Sequence, residues 1–295
     1  MSDFFVPLLN GLTIAMTIYV IASGLSLVFG VLGVLNFAHG SLYMCGAFLL
    51  FTLMRYVLPP PMGFWVGLCV VPLLVAVLGA LLEMALLRFI YKADPLYQLL
   101  LTYGLVLIIS DVVKLIWGAE HQSVPRPPGF TGSVALWGHL FPSYNLYILW
   151  PSGLATMCGL AYVLHRTRLG RLIQAATQDR EMLGALGINV RRLYTGVFAL
   201  GAGLGGLGGV LAAPMGAIYP GMDLDIIIDA FIVVVIGGLG SVGGTVLGAM
   251  TFGVLRSFGI LFMPQFETLF IFMLMAVVLV VRPQGLLGTH VTSGH

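Results

Sequence analysis

The 295-residue chain is 59% hydrophobic and only 8% charged, with a formal net charge of +2 and a mean hydropathy of +1.06. Ordinary soluble domains carry about 25% charged residues, so too little charge is present to coat a water-facing globule, and most of the surface must face lipid. The few positive residues lie between apolar stretches and form no basic face, which excludes a nucleic-acid partner.

An apolar helix crosses the hydrocarbon core in about 20 residues, so uncharged intervals translate into crossings. Met1-Ser2-Asp3 lacks a positive leader, and the apolar run behind it exceeds the roughly 7–15 residues of a signal-sequence core, so the first span is expected to stay in the mature protein. Residues 4–54 contain no Asp, Glu, Lys or Arg, which leaves room for two helices, at 7–29 and 37–53. Further spans are expected at 63–87, 96–117, 145–164 and 193–213. Residues 226–236 are too short to cross alone, 237–244 form a glycine-rich break, and apolar helix resumes over 245–262 and 265–281. The expected fold is an all-α polytopic transmembrane bundle of about eight spans that includes a broken, re-entrant helix. Cys45, Cys69 and Cys158 lie in apolar stretches without CxxC spacing and read as small buried hydrophobes.

Lys and Arg in short loops mark the cytoplasmic side. Arg166, Arg168, Arg171, Arg180, Arg191 and Arg192 fall between the fifth and sixth spans, Arg88 and Lys92 between the third and fourth, and Arg282 after the last. The chain is therefore expected to form one domain over 1–295, with the amino terminus outside and the carboxyl terminus in the cytoplasm. Residues 118–144 become an extracytoplasmic loop rich in proline, with two readings open: a short cap, or a docking surface for a soluble partner. Residues 166–192 become a cytoplasmic loop.

Three stretches stand above generic hydrophobicity. In the first, Asn36, His39 and Ser41 sit between two apolar helices, where polar groups either bond neighbouring backbone or line a wet path. The second is cytoplasmic: residues 171–186 carry an apolar stripe of Leu172, Ala176, Leu183 and Leu186, ended by Gly187, and predict one short amphipathic helix. Asp179, Arg180 and Glu181 suit a protein groove better than anionic lipid. The third, residues 236–245, is glycine-rich, and reads either as tight packing or as an unwound hinge beside a transport path.

Two motifs are refused. Gly201-Ala202-Gly203-Leu204-Gly205-Gly206 matches a dinucleotide fingerprint, but it has no preceding strand, and Gly201, Gly205 and Gly209 repeat on one helical face as a packing surface. A phosphate-binding loop needs Gly-Lys-Ser/Thr, whereas Lys92 and Lys114 follow Tyr91 and Val113. Ionisable residues within spans are functional candidates by default. Asp111 with Lys114 reads as a structural pair, Glu83 with Arg88 as a snorkelling pair, and Asp225 with Asp229 as a helix-start cap. An ion-coupled secondary carrier would rely on Asp225, Asp229 or Glu83, and is the alternative from another class.

In combination, four motifs resemble the Liv-type branched-chain amino acid permeases, the smaller membrane subunits of hydrophobic amino acid ABC importers of the bacterial inner membrane. They are Leu35-Asn36-Phe37-Ala38-His39-Gly40, Ala185-Leu186-Gly187-Ile188-Asn189, Gly237-Gly238-Leu239-Gly240-Ser241-Val242-Gly243-Gly244 and Arg282-Pro283-Gln284-Gly285-Leu286-Leu287-Gly288. The resemblance implies a non-enzymatic transport subunit without a cofactor of its own. Its implied partners are a second related permease in a heterodimer, two ATPase subunits that bind ATP and Mg, and a periplasmic substrate-binding protein. It implies coupling to the ATPase through Ala175, Ala176, Gln178, Asp179, Arg180, Glu181, Gly184, Gly187, Ile188 and Asn189, with Gln174 where other importers have Glu. It also implies a translocation pathway bordered by Asn36, Phe37, His39, Gly40, Ser41, Gly237, Gly238, Gly240 and Ser241. The same scaffold serves urea, amides or aromatic acids, so these stay open as substrates.

Overall fold

Lipid tails are as apolar as leucine, so helices in a membrane associate through close packing rather than through a hydrophobic drive, and small residues decide where backbones meet. The computed structural model describes residues 2–59, 61–91, 93–136 and 138–288. Eleven α-helices are described: α1 (Ser2–Leu32), α2 (Ala38–Thr52), α3 (Met62–Ala85), α4 (Pro95–Trp117), α5 (Trp150–Arg166), α6 (Arg168–Gln178), α7 (Arg180–Ala185), α8 (Val190–Ala212), α9 (Met222–Gly237), α10 (Val242–Phe262) and α11 (Glu267–Val281). Wider helical turns, Leu53–Val57 and Asn145–Leu149, extend α2 and precede α5. Eight helical stretches among the described residues are long and apolar enough to cross a membrane. The observed ends lie within a few residues of those expected, except that α1 begins before Pro7 and α9 begins at Met222.

Helix α8 is the axis of the bundle, lying against α1, α2 and α3. Gly201 meets Val28 and Gly24 of α1, Gly205 meets His39 of α2, and Gly209 lies against the backbone of Tyr43 and Ala47. The expected packing surface is thus what these glycines form. On the other side of α8, Gly206 receives Val75 of α3, and at the far side of α1 Gly11 faces Gly253 of α10. Around this core the outer helices turn apolar side chains to lipid: Leu115 is 85% exposed and Val280 84%. Cys45 is buried as expected, whereas Cys69 and Cys158 sit on this apolar surface.

The two ends of the bundle differ. At one end β1 (Gln122–Ser123) pairs antiparallel with β4 (Ala217–Ile218), and β2 (Ser133–Leu136) with β3 (His139–Pro142), so residues 118–144 are an ordered cap. The Tyr144 hydroxyl donates to the Leu211 carbonyl at 2.8 Å and fastens this cap to α8. The opposite end gathers the arginines that close α3, α5 and α11 and precede α8, and is called the basic end below. Lys92, read with them, lies outside the described residues.

Two breaks interrupt the helices. α9, 16 residues or about 24 Å long, is short for a crossing; it turns at residues 238–241 and returns as α10, so the pair enters and leaves on one face. The second break, at 33–37, is non-helical and climbs back into the bundle. Gly30 touches Gly240 at the basic end, yet nine residues on His39 Nε2 donates to the Ile21 carbonyl at 3.1 Å. Ile21 lies about 13 Å further up α1 than Gly30 at 1.5 Å per residue.

Replacing Gly209 with Ala would put a methyl carbon 2.1 Å from the Tyr43 carbonyl oxygen, whereas Gly159 has open space around it. Overpacking of this kind costs about 1–3 kcal/mol. Gly209→Ala is therefore expected to lower the thermal midpoint in detergent, and Gly159→Ala to leave it unchanged or raise it.

Candidate functional site

The arginine-rich loop is two helices rather than the single helix expected over 171–186. Asp179 adopts an extended backbone, φ −151° and ψ 106°, and its Oδ1 accepts the Glu181 and Met182 amides at 2.9 Å each. Asp competes with the helix for backbone partners and favours such an N-cap, so α6 ends there and α7 starts anew. Gly187 ends α7 as expected: at φ 79° it lets Gly187 N–H reach the Gly184 carbonyl and Ile188 N–H the Leu183 carbonyl, the paired bonds of a Schellman motif. Asn189 Oδ1 then caps α8 by accepting the Arg192 amide.

The buried stripe is Ile173, Ala176 and Leu183, with Leu172 half-buried and Leu186 turned outward at 71% exposure. The helix break after Gln178 rotates α7 relative to α6, which is why the stripe does not continue to Leu186. Of the residues expected to couple, Gln178, Asp179, Glu181, Gly184, Gly187 and Asn189 are exposed, Ala175 and Ile188 are half-buried, and Ala176 is buried against the bundle. Arg180 opens α7.

The glycine turn lies at the same end. Ser241 Oγ caps α10 by accepting the Gly244 amide, and Gly237 and Gly244 meet backbone to backbone, so the packing reading holds for this pair. Gly238 (φ 109°) and Gly240 (φ 79°) carry the turn in conformations that residues with a Cβ rarely adopt. The tail after α11 folds onto it: Leu286 N–H donates to the Ile236 carbonyl at 2.9 Å and Leu287 N–H to the Gly237 carbonyl at 3.0 Å. Two motifs far apart in sequence are thereby one object. A cavity of about 290 Å³ separates this turn from α6, with Ile173, Gln174 and Thr177 on one wall and Gly240, Gly243 and Gly30 on another. α6 and the tip of the α9–α10 hairpin thus face one another across this cavity.

Residues 36–41 are packed inside. His39 is fully buried between Gly24 and Gly205, Asn36 is buried with its side-chain amide unpartnered, and the Thr102 hydroxyl reaches the Leu35 carbonyl. Phe37 is half-buried. Gly40 lies against the Asp223 backbone, and Ser41 Oγ donates to Asp223 Oδ2 at 2.7 Å. Asp223 was not among the expected residues, although its place beside Asp225 in the first turn of α9 was a usable signal.

Every carboxylate on which an ion-coupled carrier would rely is held by a partner. Glu83 does not snorkel; it is fully buried, accepting from the Thr195 and Tyr91 hydroxyls at 2.6 and 2.8 Å, with Arg88 at 3.4 Å. This network ties the end of α3 to the start of α8, and burial together with the bond to Glu83 raises the Tyr91 phenol above its usual range. Asp225 accepts from the Tyr219 hydroxyl, a bond that, with burial, raises that phenol. Asp229 is no cap: it pairs with Arg256, which also binds Glu267, joining α9, α10 and α11. Arg256 is the sole charge in residues 230–266, and that isolation was the signal for a buried counter-ion. Asp111 and Lys114 pair at 3.1 Å on the exposed face of α4, as expected.

A bundle of eight apolar candidate spans with two interrupted helices is the build of a polytopic membrane domain. A family model described as branched-chain amino acid transport system / permease component matches residues 7–280, and the chain belongs to that family. BraD of Pseudomonas aeruginosa, named a high-affinity branched-chain amino acid transport system permease protein, is 30% identical over 95% of this chain and 94% of its own. LivH of Escherichia coli is 28% identical over 97% and 96%, and LivM of the same organism 28% over 93% and 68%. No solved structure matches. The protein is a multi-pass component of the bacterial inner membrane.

Losing an N-cap costs about 1 kcal/mol, a factor of about five in a local opening equilibrium. Asp179→Ala is thus expected to speed deuterium exchange of the Glu181 and Met182 amides by about fivefold while leaving α8 amides unchanged.

Proposed function

We propose that this chain is one permease subunit of an ATP-driven importer that passes branched-chain amino acids into the cytoplasm. The observation that carries the reading is the family match over residues 7–280, supported by relatives whose names give that transport system. LivH and LivM of one organism both match this chain, which supports a heterodimer with a second related permease. Having no phosphate-binding loop, the chain relies on two partner ATPase subunits to bind ATP and Mg, and on a periplasmic binding protein to deliver solute. The arginines at the basic end support a cytoplasmic position for that end, with the amino terminus outside and the carboxyl terminus inside. The ordered cap of residues 118–144 then faces the binding protein.

The ATPase seats on α6–α7. Met182 and Leu186, four residues apart and 59% and 71% exposed, form an apolar anchor among Gln178, Asp179, Arg180 and Glu181, as a helix presents to a protein groove. Ala175, Ala176 and Ile188 hold that surface in place from behind, and Asn189 caps the helix that follows. Asn36 to Ser41, packed inside against α8 and α9, and Gly237 to Ser241, packed on Gly30 of α1, are the parts that shift to open the pathway.

Leucine uptake into proteoliposomes containing the complete complex tests the proposal. Met182→Glu and Leu186→Glu alter side chains already exposed, so insertion is expected to be normal while loss of the anchor lowers uptake by roughly tenfold or more. Normal uptake by both would remove the docking assignment. Leucine accumulation by the isolated chain would remove the ATPase requirement itself. Ala176→Glu is unsuited to this purpose, because Ala176 is 2% exposed and the new charge would be buried in the bundle.

A further inference from the structure

Two cavities lie along α1, one toward each end of the bundle. The outer one, about 700 Å³, is lined by Pro7, Asn10 and Thr13 of α1, by Asn145, and by Ser257 and Leu261 near the end of α10. The inner one, about 290 Å³, runs from Tyr19 down α1 to Gly30, between Met157 and Ala161 of α5 and Val246 of α10. Thr13 and Tyr19 are about 9 Å apart along the helix axis. Between the cavities the start of α5 closes on α1. Trp150 Nε1 donates to Thr13 Oγ1 at 3.1 Å, and Met16 is seated so closely on Gly153 that a Cβ there would lie 2.8 Å from the Met16 sulfur.

One residue lining each cavity carries a buried polar atom without a partner. Tyr19 is 3% exposed and Asn145 8%, and neither the Tyr19 hydroxyl nor Asn145 Oδ1 has a hydrogen bond within the chain. A buried polar group left unpaired is costly, so an unpaired one in a cavity wall marks where a passing polar molecule supplies the bond. The remaining walls are mostly apolar. Together they suit a small solute with one polar end and an aliphatic body.

We propose that the solute passes along this groove beside α1, between α5 and α10, bonding first to Asn145 and then to Tyr19, and that Thr13, Met16, Trp150 and Gly153 form the plug closed in this conformation. The assignment rests on the permease reading and adds to it the route and two solute-contacting side chains. The inner cavity ends on Gln174 and Thr177 of α6, so the groove and the docking helix share a wall. Movement of α6 and α5 together would withdraw Gly153 from Met16 and join the two cavities.

The test uses the complete complex in proteoliposomes with radiolabelled leucine. Tyr19→Phe removes only the hydroxyl and is expected to raise the leucine KM about two- to tenfold, the worth of one hydrogen bond, with ATPase assembly unchanged. Ala161 is exposed, so Ala161→Trp is expected to assemble normally yet abolish uptake by filling the inner cavity. In a background with Cys45, Cys69 and Cys158 replaced by Ala, Ala161→Cys is expected to react with a membrane-impermeant maleimide from the cytoplasmic side, more slowly when leucine is present. Wild-type KM and rate in both Tyr19→Phe and Ala161→Trp, or labelling of Ala161→Cys that leucine leaves unchanged, would overturn the route. Failure of the wild-type complex to take up leucine would count instead against the permease reading.

Discussion

Within a bilayer an unpaired peptide group has no water to turn to, and each broken helix here is possible only because another segment of the chain supplies the missing bonds. The carbonyls of Ile236 and Gly237, left open where α9 stops, are taken by the Leu286 and Leu287 amides of the tail. The Leu35 carbonyl, in the non-helical stretch after α1, is approached by the Thr102 hydroxyl of α4. The tail is therefore part of the membrane domain, holding the tip of the α9–α10 hairpin to the end of α11. Remove these donors and the breaks would cost several kcal/mol each.

The same economy governs charge. Glu83, Asp229 and Glu267 are each engaged by arginine, and Glu83 by two hydroxyls besides. Glu83 is fully buried and the others half-buried, and the more a pair is buried the less it adds to net stability and the more it costs to break, because the abandoned partner stays in a low-dielectric surrounding. These contacts serve as joints: Arg256 binds three helices into a unit, and Glu83 fixes α3 to the start of α8, immediately behind the exposed loop. Glycine does the complementary work, since α8 can lie against three helices only where its side chains are absent.

The parts that a transport cycle would move are gathered at one end. Helix α6, the glycine turn, the tail and the lower half of α1 all meet around one small cavity, while the opposite end is stitched by short strands and by Tyr144. Each end of the bundle also carries a cavity, the larger one at the capped end and the smaller one beside α6.

Class, span count and family motifs were legible in the chain itself, because hydropathy and local glycine spacing act over neighbouring residues and need no partner to be read. The ends of α3, α4, α8 and α10 fell within three residues of expectation for that reason, and Gly187 stopped α7 through its own backbone freedom. What needed the fold were relations between distant residues: the engagement of Arg256 with Asp229 and Glu267, the seat of His39 between Gly24 and Gly205, and the docking of residues 282–288 on residues 236–240. Each is a pairing across tens to hundreds of positions, chosen by which helix faces meet, and a one-dimensional pattern specifies the face without naming its neighbour.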